Sequence, residues 1–196
     1  MKNTLYRIVV LFLFTIGVHG QEEKLGVLES DTTWLKEIIK FPINFASDIS
    51  YEGYEDLRFS KHWSKKDSSD FWTYAFTWHI KGVQKVNETI LESHMKSYYN
   101  GLMEAVNKKK DFKVPQTMVL FLKDTGNNQI DYIGKIRVYD SFHTERIIVL
   151  NIQMTQFYCE QTDTSDLLFR ISPQPFDHDI WQSLRTVTLR SDYCAD

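Results

Sequence analysis

Phe71-Trp72-Thr73-Tyr74-Ala75-Phe76-Thr77-Trp78-His79-Ile80 is the most regular stretch of this chain. Trp72, Tyr74, Phe76, Trp78 and Ile80 are large and apolar, and the residues between them are small or polar. An alternation of period two puts one set on each side of an extended backbone, so the stretch predicts a half-buried β-strand with an aromatic inner face. That face has to meet an apolar partner. The partner follows directly: Leu91, Met95, Tyr98, Leu102 and Val106 are spaced by four, three, four and four, which is one stripe of a helix spanning about residues 86–106. Glu92 and Lys96, and Glu104 and Lys108, are i,i+4 pairs on its wet side. Lys108-Lys109-Lys110 sits at the carboxyl end, where cations complement the helix dipole.

Further outward the signal is mostly extended. Thr117 to Leu122 is apolar and ends in the turn-forming run Thr125-Gly126-Asn127-Asn128, and strands are predicted at 130–139, 146–157 and 167–171. Ser172-Pro173-Gln174-Pro175 closes the last, since proline cannot donate to a ladder. Asp177 is placed to cap a short helix carrying Ile180, Trp181, Leu184 and Val187. On the amino side, Leu57-Arg58-Phe59 begins a strand after a turn-rich acidic connection at 48–56, and 61–70 reads as a charged hairpin loop. Trp34 to Phe41 fits either a helix or a short edge strand, and 21–31 reads as a loose lead-in. Strands in succession with short loops pair antiparallel. The expected fold is therefore α+β, a mainly antiparallel sheet with one long helix packed on it and a short C-terminal helix.

The chain opens with Lys2 and Arg7, an apolar run over 8–16 and Val18-His19-Gly20, the three-part pattern of a secretory signal peptide cleaved between Gly20 and Gln21. The run is too short to span a bilayer. The expected organisation is a signal peptide over 1–20 and one domain over 21–196, exported to the periplasm or beyond, with no stable membrane anchor after cleavage. Composition agrees with a folded domain: of 196 residues 42% are hydrophobic and 14% aromatic, with only 8 Gly and 4 Pro. The formal net charge of −3 becomes −5 once Lys2 and Arg7 leave, which argues against nucleic acid as a partner. Cys159 and Cys194 both remain. In an oxidising compartment they can pair, closing a loop of about 35 residues, or stand as two separate thiols.

Motifs that carry chemistry are lacking in the sequence. The glycines are too dispersed for a nucleotide loop, and there is no C-x-x-C, H-E-x-x-H, G-x-S-x-G or EF-hand spacing. Phe176-Asp177-His178-Asp179 is the one dense group of metal-ligand types, and helix capping and the helix dipole account for its acids without a metal. The alternation places His79 on the outer face of its strand. No cofactor or metal is expected. Two functions stay open. One is non-enzymatic binding of a small ligand or partner protein; the other is a hydrolase-like site assembled from scattered His, Asp and Glu. An aromatic pocket would favour binding, and a pocket where acids and histidines converge would favour catalysis.

Phe41-Pro42-Ile43-Asn44-Phe45-Ala46, then 51–60 (YEGYEDLRFS) and Trp63, resemble segments of uncharacterised exported proteins of Bacteroidota-type bacteria. The likeness extends through 71–78 and Tyr98-Tyr99-Asn100-Gly101-Leu102. The resemblance implies export and a bacterial source, and it brings no functional residue with it.

Overall fold

The computed structural model describes residues 26–109, 111–126 and 131–195. The expected signal peptide and its cleavage point, Lys110, and Asn127 and Asn128 of the predicted turn lie outside them. Seven strands form one antiparallel sheet in the order β2-β3-β4-β8-β7-β6-β5: β2 Leu35–Lys40, β3 Gly53–Phe59, β4 Tyr74–Lys81, β5 Met118–Lys123, β6 Tyr132–Tyr139, β7 Ile147–Cys159 and β8 Thr164–Ser172. Helix α1 (Glu88–Ala105) connects β4 to the far edge strand β5, so it crosses the inner face. A two-stranded sheet, β1 (Leu28–Glu29) with β9 (Thr188–Leu189), and helix α2 (Ile180–Arg185) cover part of the outer face. The α+β class, the antiparallel sheet, the long helix and the short C-terminal helix are as the sequence predicts.

The inner layer forms because three periodicities coincide. Phe76 faces Phe169 across β4 and β8, and Ile171 faces Ile152 across β8 and β7, giving one continuous apolar surface. Leu91, Met95, Tyr98, Tyr99 and Met103 of α1 are buried against it. The helix starts where Asn87 accepts the Ile90 amide at 3.0 Å, an N-cap that satisfies one otherwise unpaired donor. Leu102 and Val106, at the end of the predicted stripe, are only half-buried.

Several local expectations are corrected. The alternate residues of β4 are not wet: Thr73, Ala75 and Thr77 are fully buried, because Trp181, Leu184 and Val187 pack on the outer face there. The strand begins at Tyr74 rather than Phe71, since Trp72 has φ 53° and breaks the extended run. The acidic connection 48–56 yields its last four residues to β3. There Glu55 and Asp56 are wholly buried and held by hydrogen bonds, so their charge hides a strand from pattern reading. Residues 26–31 are no loose lead-in either, for Val27 and Leu28 are buried and Leu28 pairs with Leu189. Trp34 to Phe41 resolves as the edge strand β2. Asp177 does not cap α2: the Ile180 amide is taken by His178 Nδ1 at 3.1 Å.

Cys159, at the end of β7, is joined to Cys194 by a disulfide with Cα atoms 5.5 Å apart. Among the described residues, no helix is long and apolar enough to cross a membrane.

Candidate functional site

Between the carboxyl half of α1 and the β2-β3-β4 end of the sheet, the two layers separate and leave a cavity of about 350 Å³. Its walls come from five parts of the chain. Glu37 and Ile39 come from β2, Leu57 and Phe59 from β3, and Tyr74 from β4. Tyr98, Leu102 and Val106 come from α1, and the connecting loops add Phe45, Trp63, Trp72 and Phe142. Edge-on and tilted ring pairs hold the rim in shape: Phe45 lies 5.2 Å from Tyr98, Phe59 4.7 Å from Trp63, and Trp72 5.9 Å from Phe142.

Gly101 explains how the loop reaches the helix. A Cβ at this position would collide with the backbone carbonyl of Phe45, so a residue that costs α1 up to about 1 kcal/mol relative to alanine is what lets Phe45 close over Tyr98. Leu102 and Val106 are half-buried and line the cavity, and Leu102 also packs against the core.

The polar groups of the site are few and specific. Glu55 sits behind the wall with no exposed surface, accepting from Trp78 Nε1 at 3.2 Å and from Tyr98 Oη at 3.3 Å. Burial pushes its carboxyl up to about 8; the two hydrogen bonds oppose this, and the charge of Glu37 adds to it. Tyr74 and Tyr99 are hydrogen-bonded to each other through their hydroxyls beneath the cavity, and burial holds the Tyr74, Tyr98 and Tyr99 hydroxyls above their ordinary range. Trp72 Nε1 and His143 Nε2, neighbours in the ring cluster at the Phe142 end, are buried without a hydrogen-bond partner.

Of the residues singled out from sequence, Trp72, Tyr74, Phe76 and Trp78 are all buried in the core cluster, and Trp72 and Tyr74 also line the cavity. His79 lies on the outer face with Nδ1 3.0 Å from Asp166 Oδ1, and its ring is 4.9 Å from Tyr54; neither His79 nor Asp166 borders the cavity. Asp177, His178 and Asp179 form no ligand cluster, and among the described residues no three His, Cys, Asp or Glu side chains gather to hold a metal. A second depression, at His62, Lys65, Lys66, Asp67 and Ser68, belongs to a single turn-rich loop and has no opposing wall. Pattern reading missed Glu37, Glu55, Phe45, Trp63 and Phe142. Glu55 carried one usable signal, a carboxylate that breaks the apolar side of a strand.

What fold and cavity define is a two-layer α+β protein with an aromatic-walled internal site. Comparison of the chain with family models, with curated proteins and with solved structures finds no match.

Proposed function

We propose that this protein is an exported binding protein that takes up a small, largely apolar ligand in the cavity between α1 and the sheet. The observation that carries the reading is the cavity itself. About 350 Å³ lies within the range of small-molecule sites, and eleven of its twelve lining residues are apolar or aromatic, with Glu37 the exception. Catalysis by converging acids and histidines has less support, because the His79–Asp166 pair stands on the opposite face of the sheet. Export is supported by the amino-terminal pattern and by the Cys159–Cys194 disulfide, a bond that persists in oxidising compartments.

A neutral fluorescent probe, N-phenyl-1-naphthylamine, tests the site. Saturable uptake by the folded protein, with quenching of tryptophan emission from Trp63 and Trp72, is the expected result. Leu102→Trp should fill the cavity and abolish uptake while the denaturant midpoint is kept. Uptake unchanged in Leu102→Trp, or no uptake by the wild type, would overturn the reading.

A further inference from the structure

The cavity has an electrostatic sign. Glu37 alone among its lining residues is charged. The neighbouring cations of β2 do not reach it: Lys36 and Lys40 alternate to the outer face, and Lys36 Nζ lies beside Gly26 there. The register pairs Ile39 with Glu55, which places Glu55 diagonally across from Glu37 on the same inner face. Glu55 in turn accepts from two neutral donors, the indole of Trp78 and the phenol of Tyr98. Two carboxyl groups thus act on one aromatic-walled space, and among the described residues no cation lines it. The rings of Phe45, Phe59, Trp63, Tyr74 and Tyr98 surround the same space, and the faces of such rings attract cations.

We propose that the ligand of this cavity is a cationic amphiphile, an ammonium group on an apolar body, with its charge directed to Glu37 and the Tyr98–Glu55 pair. This rests on the cavity being a binding site at all. An anionic head group would meet the field of Glu37 and, above its titration, of Glu55; an uncharged ligand would gain nothing from either. An ammonium group gains from both carboxylates and from the ring faces. It also favours the ionised form of Glu55, so binding near pH 8 releases a proton. The groups facing Glu55 leave no other source for that proton. Glu37 from β2 is the exposed acid, Tyr74 from β4 and Tyr98 and Tyr99 from α1 are held protonated by burial, and His94 of α1, bonded to Tyr51, has its affinity for protons lowered.

The test is calorimetric titration with three ligands that share one chain, decylammonium, 1-decanol and decanoate, each below its micellar concentration. Decylammonium should bind about tenfold tighter than decanol, and decanoate weakest. Glu37→Gln should erase most of the ammonium advantage, bringing the decylammonium and decanol affinities close together. Titrations in two buffers of different ionisation enthalpy should report proton release on decylammonium binding to the wild type, and none in Glu55→Gln. Equal affinities for the three, or preference for decanoate, would overturn the cationic assignment and leave the binding site standing. Failure of all three ligands to bind would overturn both.

Discussion

Two stretches of one aromatic row behave differently. Phe76 and Trp78 are sealed: Phe76 stacks on Phe169 at 4.8 Å and on Tyr98 at 5.9 Å, and Trp78 meets Phe169 at 5.3 Å. Tyr74 and Trp72, one and two steps earlier in the same alternation, border the cavity. Nothing in their residue type separates the pairs. The difference lies opposite them, where the helix stripe changes from the buried Tyr98 and Tyr99 to the half-buried Leu102 and Val106, which border the cavity. An aromatic alternation therefore encodes which face turns away from water. Whether that face is filled depends on how closely the second layer approaches.

The contrast can be broken by mutation. Phe76→Ala empties a position ringed by aromatics and should lower stability by about 3–5 kcal/mol in urea unfolding. A loss below about 1 kcal/mol would show that the sealed end is as loose as the open one.

Glu55 offers a smaller and pH-dependent effect at the boundary between the two ends. Its folded-state affinity for protons is raised from the usual 4.5 to about 8, so the folded chain binds more protons than the unfolded chain between these values. Stability from this group is complete below about pH 4.5 and is lost as pH rises toward 8, on the order of a few kcal/mol. Half-buried His94 and His143, whose proton affinity is lowered by desolvation, act in the opposite sense, losing stability as pH falls below about 6.5. The clean window is thus pH 6.5–8. Glu55→Gln should flatten the pH dependence there, and an unchanged slope would remove Glu55 from the account.

At the open end, Leu102→Ala should cost only about 1 kcal/mol, because the side chain already faces a cavity. A cost equal to that of a sealed leucine would mean that the layers close in solution. Least of all is expected on the bare outer half of the sheet, where Met118, Leu120 and Leu122 are 62%, 54% and 56% exposed. Leu120→Ala should stay within about 0.5 kcal/mol.

The fold was legible because β4 and α1 each present a regular period and the strands after α1 are separated by short loops, which leaves antiparallel pairing as the natural outcome. The site was less so. Its wall needs Phe45, Trp63 and Phe142, all from loops without periodicity, and Glu55, whose charge argued against a buried strand position. Gly101 lowers the helix propensity of α1, and only the approach of Phe45 gives it a reason. Similarly, Asp177 had the right spacing for a cap, yet His178 reaches the amide first.

The disulfide changes how the molecule would carry mechanical load. Leu28 pairs with Leu189, so tension applied at the two ends of the described chain would open the β1–β9 ladder from one end, bond by bond, at low force. With Cys194 bonded to Cys159, that load leaves the backbone at residue 194 and re-enters it at residue 159. The 35-residue loop between them, which contains β8, α2 and β9, is then removed from the path of the force. Since β8 lies between β4 and β7, the oxidised protein keeps its central strand slack while its neighbours are pulled. The reduced protein draws β8 out of the sheet from its carboxyl end, so stretching a single molecule with and without reductant should give two different contour lengths and two different orders of rupture.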